Sequence, residues 1–155
     1  MEFRKATISD VNDLVKLRKQ QLLDEGSIPK QNIDNELKEY FSKSIKNNIF
    51  ISWVAIENNE IIATSGLCFY QLPPNYSNPT GKVAYITNMY TANKYRRKGI
   101  ASKLLEKIIN EARILDYKIL RLHASLEGKN LYKKYGFSDS EGYMQIRIWR
   151  KMKVF

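Results

Sequence analysis

A chain of 155 residues with 43% apolar content and ten tyrosines suits one domain, 1–155, with a real core, and excludes a disordered tail. One cysteine and one histidine exclude an internal disulfide and a cysteine-based zinc cluster, so no metal is expected. The net charge of +10 is concentrated, with twelve Lys/Arg against four Asp/Glu between Lys94 and Lys134, which reads as a local field for an anion.

The chain opens on "MEFRKATISD", which lacks the apolar stretch of a secretory leader. No apolar run approaches the roughly 18 residues that cross a bilayer. A cytoplasmic protein without a membrane partner is expected. A small first strand at "EFRKA" precedes "ATISDVNDLVKLRKQQLLDEG", where Ser9 is the capping candidate and Gly26 the stop. Val11, Leu14, Val15, Leu17, Leu22 and Leu23 give this helix its apolar face. "NIDNELKEYFSKSIKNN" is a second helix with Ile33, Leu37, Tyr40, Phe41 and Ile45 inward. Asp34 and Glu36 near its start read as helix-dipole partners, or as carboxylates lining an acceptor pocket.

From Asn48 the period changes to two. "IFISWVAIENNEIIATSGLCFYQL" is β-branched and aromatic on both sides of Asn58-Asn59, a hairpin turn. Trp53, Phe69 and Tyr70 read as core, and Cys68 as a small buried apolar residue. "QLPPNYSNPTGK" is a loop, and "VAYITNMYT" is the next strand. A helix follows with Ile100, Leu104, Ile108, Ala112 and Leu115 on one stripe. "YKILRLHA" is a strand, "GKNLYKKYG" a short helix and "GYMQIRIWRKMKV" a final strand. A strand–helix–strand passage from Val83 to Ala124 implies a parallel pair with a right-handed crossover. The expected fold is α/β of α+β type: a mixed, mostly antiparallel sheet with one central parallel pair and helices on both faces.

"KYRRKGIASKLL" sets its cations at the mouth of a helix, against the macrodipole, which favours anions there. Either this is a solvated basic face, or an anion sits on it. Unpaired amides at a helix start suit phosphate oxygens, and Arg96, Arg97 and Lys98 add charged donors. Gly99 lets a ligand approach the backbone, although glycine inside a helix costs about 1 kcal/mol. Neither G-x-G-x-x-G nor G-x-x-x-x-G-K-[ST] is present.

Arg96-Arg97-Lys98-Gly99-Ile100-Ala101 matches the R/Q-x-x-G-x-G/A signature of the GNAT N-acetyltransferase superfamily. A second block, "LHASLEGKNLYKKYGF", resembles that family's later strand–helix ending in Y-x-x-x-G-F. The resemblance implies the GNAT acyltransferase fold and acetyl-CoA as acetyl donor, with coenzyme A as product. It implies that amides from Arg97 to Ala101, with Ser102, hold the pyrophosphate. Main-chain groups of Met89 and Thr91 would pair with the pantetheine arm. An amide of Met89 or Tyr90 would polarise the thioester carbonyl. Tyr132 stands where the family often has the tyrosine that protonates the departing thiolate.

The chain departs from the pattern in places. Asn93 replaces a common proline. Ser125 stands where an asparagine often contacts the cofactor, with Asn130 a nearby alternative. The preceding strand lacks the glutamate often used as base, so the base stays unassigned, with His123 a candidate.

The function expected is N-acetyl transfer to an amine of a small molecule or peptide, by direct transfer in a ternary complex, from a monomer or homodimer. The alternatives are a basic nucleic-acid-binding module, whose cations would track an extended groove, and a non-catalytic acyl-CoA-binding domain.

Overall fold

The computed structural model describes residues 1–140, 142 and 144–147. In chain order the elements are β1 (Glu2–Lys5), α1 (Val11–Asp24), α2 (Asp34–Lys46), β2 (Phe50–Ile51), β3 (Trp53–Glu57), β4 (Glu60–Gln71), β5 (Lys82–Thr91), α3 (Ile100–Ile114), β6 (Leu120–Leu122) and α4 (Lys129–Lys134). The strands make one sheet in the order β1-β3-β4-β5-β6, with β2 also on β4. All pairings are antiparallel except β5 with β6. The mixed sheet and its crossover helix are those expected, and β6 stands last in the order among the described residues. The expected final strand lies mostly outside the described residues; Gly142 and residues 144–147 are not in a strand. Among the described residues no helix is long and apolar enough to cross a membrane.

Period-two alternation fills both sides of the sheet. On β3, Val54 packs with Val11, Leu14, Phe41 and Phe50 beneath α1 and α2. Its neighbour Ala55 packs with Ile62, Ile100 and Leu104 beneath α3. A second cluster under α3 joins Leu67, Ala84, Ile86, Leu105, Ile108 and Tyr132. Each such large side chain contributes roughly 1.5–3 kcal/mol of transfer energy. Asn58 and Asn59 both adopt positive φ, 51° and 65°, between the paired Glu57 and Glu60. That is the two-residue turn whose twist matches a hairpin.

Local chemistry moved several boundaries. The expected cap, Ser9, bonds only the Thr7 hydroxyl. The residue before α1 is Asp10, which makes no side-chain bond to the helix; its carboxylate accepts the Thr7 amide at 2.7 Å and a bidentate Arg4 guanidinium at 2.8 and 2.9 Å. Arg4 thereby ties β1 to α1 and holds the Asp10 carboxyl below the usual range, against the effect of burial. On α1, Gln21 is buried whereas Leu23 is 47% exposed. Leu115 lies past the end of α3 and is exposed. The strand at "YKILRLHA" contracts to three residues.

One irregularity positions the site. Thr64 pairs with Tyr90, and Gly66 pairs with Thr87, so Ser65 alone opposes Asn88 and Met89. This is a β-bulge on β5, with Asn88 at φ 53°. Asparagine is among the few residues that tolerate that conformation. The Thr64 hydroxyl donates to the Asn88 carbonyl at 2.8 Å and fastens the bulge. Opposite it, a Cβ on Gly66 would lie 2.7 Å from Phe50 Cζ and 3.0 Å from the Thr87 carbonyl. The Phe50 ring is itself buried against Phe41, so it has little room to give. Gly66→Ala should therefore destabilise the fold by about 1–3 kcal/mol, the usual range for overpacking, measured by urea unfolding. A change within about 0.5 kcal/mol, typical of tolerant surface positions, would contradict this packing.

Candidate active site

β6 pairs with β5 at only three positions, Ala84 to Ile86 against Leu120 to Leu122. Beyond Ile86, β5 continues through its bulge to Thr91, whereas the other chain leaves the sheet at His123. The strands part, and the gap opens into a cleft of about 760 Å³. One wall is the edge of β5 that β6 leaves uncovered, at Met89, Tyr90 and Thr91; the other is Ser125, Gly128 and Tyr132; α3 begins at the fork with Gly99, Ile100, Ala101 and Ser102.

The start of α3 presents donors without acceptors. Gly99 is the residue before the first helical turn, at φ 76°. It stands outside the helix, so the expected interior glycine penalty does not arise; the position calls for left-handed backbone. Arg97 is left-handed too, at φ 59°. No side chain caps this end, and its first turn contains no acid. The first backbone bond runs from Lys103 N–H to the Gly99 carbonyl, so the preceding amides have no intrahelical acceptor. A Cβ on Gly99 would meet nothing within 4 Å.

The expected residues divide. Met89, Tyr90, Thr91, Arg96, Arg97, Gly99, Ile100, Ala101, Ser102, Ser125 and Tyr132 all line this cleft; Lys98 and Asn130 do not. Lys98 Nζ lies 5.4 Å from the Tyr95 ring centre, and Asn130 is exposed on α4. Arg96 is a clasp. Its Nε donates to the Thr91 carbonyl at 2.9 Å, and its terminal nitrogens reach Asp24 at 3.0 Å and Glu127 at 3.3 Å. Ser125 Oγ accepts the Gly128 amide at 3.1 Å and starts the turn into α4.

Tyr132 is 8% exposed, edge-on to Phe137. Burial, with a smaller push from the Glu25 carboxylate, raises its phenol to about 12. The phenol is therefore protonated throughout the physiological range. Tyr90 donates to Asp24 at 2.9 Å, and burial with this bond raises its phenol as well. Gln20, Tyr90 and Arg96 hold the Asp24 carboxyl below the usual range.

Other candidates fall elsewhere. His123 lines the cleft just past β6 and is exposed. Asp34 pairs with Lys19 at 2.7 Å, and neither it nor Glu36 lines the cleft. Cys68 is half-buried against the Phe41–Phe50 cluster, and burial raises its thiol, the opposite of an activated nucleophile. Sequence reasoning missed Gln21, Asp24 and Glu25, which bring the end of α1 to the cleft. The available signal was an acidic pair closing a helix with no base in its last turn.

A family model described as an acetyltransferase (GNAT) domain matches residues 48–139. No curated protein sequence matches the chain. Among solved structures, a predicted acetyltransferase from Clostridium acetobutylicum, crystallised with acetyl-CoA, is 44% identical over 94% of this chain and 95% of its own, with a TM-score of 0.91. A GCN5-related N-acetyltransferase from Ralstonia eutropha covers 94% of this chain and 97% of its own at 22% identity and a TM-score of 0.84. The glucosamine-6-phosphate N-acetyltransferase of Arabidopsis thaliana, with the same coverage, is 21% identical with a TM-score of 0.73. These last two share the fold. With the family match spanning the bulged strand, the parted pair and the bare start of α3, the chain belongs to the GNAT acetyltransferase family.

Proposed function

We propose that the chain, acting as one domain over residues 1–155, is an acetyl-CoA-dependent N-acetyltransferase that moves the acetyl group directly onto an amine of a small molecule or peptide. The observation that carries this reading is the uncapped, acid-free start of α3 at the fork between β5 and β6. Amides from Arg97 to Ser102 would hold the pyrophosphate, helped by the positive end of the helix and by the Arg97 guanidinium. The open space at the Gly99 Cβ position fits a bulky anion pressed against the backbone. The edge of β5 that β6 leaves uncovered would take the pantetheine arm as an added strand. Acetyl-CoA supplies an acetyl thioester, whose carbonyl carbon accepts the amine and whose sulfur departs.

The residues of the chain then have distinct tasks. The bulge turns the Met89 segment out of register with β4, which suits its amide to receive charge on the thioester oxygen. Tyr132 faces the sulfur as a hydrogen-bond donor. Its phenol near 12 lies about 3.5 units above an ordinary thiol, so complete transfer to a free thiolate is uphill by roughly 5 kcal/mol. Tyr132 therefore stabilises charge growing on sulfur more than it discharges a free proton. The high Cys68 thiol offers no covalent relay, which supports direct transfer.

A nucleic-acid role draws less support. Arg96 is paired with Asp24 and Glu127, Lys118 with Asp116, and Lys129 and Lys133 with Asp139, so part of the basic surplus is neutralised within the chain. The alternative of a binding domain without catalysis is decided by turnover.

Three outcomes follow. Coenzyme A should raise the melting temperature of the protein, whereas a short DNA duplex should not; the reverse pattern would favour the nucleic-acid reading. Gly99→Val places a branched side chain at φ 76°, which should weaken coenzyme A binding about tenfold or more by calorimetry; unchanged affinity would remove this turn from the site. Tyr132→Phe should lower kcat on the order of 10²-fold with coenzyme A affinity retained, measured by thiol release with a reactive primary amine. Wild-type turnover with chemistry rate-limiting would exclude Tyr132.

A further inference from the structure

Helix C-termini favour cations, yet α1 ends on Asp24 and Glu25 with no basic residue in its last turn. Asp24 is occupied: it accepts Gln20, the Tyr90 hydroxyl and Arg96 at 2.8, 2.9 and 3.0 Å. These bonds pin the end of α1 to the strand and loop that border the cleft. Glu25, the next residue, lines the cleft together with Met89 and Tyr132. Buried Gln21 fixes it: one amide nitrogen donates to Glu25 Oε1 at 2.9 Å and reaches the Met89 carbonyl at 3.4 Å, while Arg18 holds the Gln21 oxygen at 3.1 Å. Among the described residues, the second Glu25 oxygen has no bonded partner. A carboxylate is thus held beside the bulge, on an element remote in sequence from every motif of the acetyl-donor site.

We propose that Glu25 is a catalytic residue, the base that takes the proton of the acceptor's ammonium group. The inference rests on the acetyl-transfer reading above. The step balances: an N–H bond breaks and an O–H bond forms on Glu25, leaving the nitrogen a lone pair. That pair forms the N–C bond as the C–S bond breaks and sulfur departs with its electrons. The thiolate, held by the Tyr132 hydroxyl, takes up the nitrogen's second proton, and Glu25 returns its own to water. An ammonium near pKa 10 is mostly unreactive at pH 7 without such a base. A carboxylate there also selects a cationic acceptor.

The other ionisable groups at this end of the cleft are Asp24, Tyr90, Arg96, His123, Glu127 and Tyr132. Asp24, Tyr90, Arg96 and Glu127 are bonded to one another, and Tyr132 stays protonated. His123 is the competitor.

The test measures kcat/KM against pH from about 6 to 10, following thiol release from acetyl-CoA. The acceptor is the most reactive member of a panel of an aminosugar, a polyamine and a peptide α-amine. Glu25→Gln should lose on the order of 10²-fold at pH 7, and the gap should narrow as pH passes the acceptor's own pKa and free amine no longer needs a base. Glu25→Asp should recover part of the loss, and calorimetry should give both variants wild-type affinity for coenzyme A. A loss constant across pH would make Glu25 structural. An unchanged rate at pH 7, or a His123→Gln variant reproducing the narrowing gap instead, would overturn the assignment alone. A wild-type protein silent on every amine would overturn the acetyl-transfer reading, and this inference with it.

Discussion

The site depends on a failure of pairing. β5 and β6 share three residues of register and then separate, so among the described residues the sheet opens there into a fork. Continuous pairing would bury the edge of β5 and leave no room beside it. Two features keep the fork open. The bulge at Asn88–Met89 bends β5 and is fastened by Thr64 across the ladder. The chain past β6 turns through Ser125 into the short α4, whose Tyr132 packs into the core under α3. The β4–β5 pairing on the other side of the sheet absorbs the irregularity, with Gly66 making room for the Phe50 ring.

Two helices end in this fork, and each carries the charge its dipole disfavours. Cations crowd the positive end of α3, and acids close the negative end of α1. Such placements oppose stability by a few tenths to about 1 kcal/mol each at exposed sites. They are explained together if α3 awaits an anion and α1 a cation. Arg96 links the two regions, reaching back to Thr91 and across to Asp24, so the donor-side loop and the end of α1 are braced against one another. Its charge serves this brace, which on the proposed reading leaves the backbone amides and Arg97 to meet the anion at the mouth of α3.

Much of this was legible in the residues, and the rest fails for identifiable reasons. The Asn58-Asn59 turn and the stripe from Ile100 to Ala112 are local patterns, and local patterns survived. The run from Arg96 to Ala101 leads into a helix as expected, because a helix start is also a local event. The role of Asp10 was missed because its bidentate partner, Arg4, belongs to a neighbouring strand. On α1, the burial of Gln21 in place of Leu23 reflects the cleft and not helical periodicity: Gln21 faces a carboxylate and a carbonyl 68 residues away. The bulge left one faint trace, an asparagine inside a β-branched run. Asp24 meets Tyr90 and Arg96 across 66 and 72 residues, a juxtaposition that no spacing rule reveals.

On the proposed reading, backbone amides at the start of α3, exposed by the parting of β5 and β6, receive a pyrophosphate. The most direct measurement is the amide proton–nitrogen NMR spectrum during titration with coenzyme A, compared with pantetheine, which lacks the pyrophosphate. Coenzyme A should shift the amides of Gly99, Ile100, Ala101 and Ser102 strongly downfield, while pantetheine perturbs Met89 to Thr91 and leaves the helix start unmoved. If coenzyme A saturates the protein and those four amides stay in place, the anion is held elsewhere and the start of α3 is not its site.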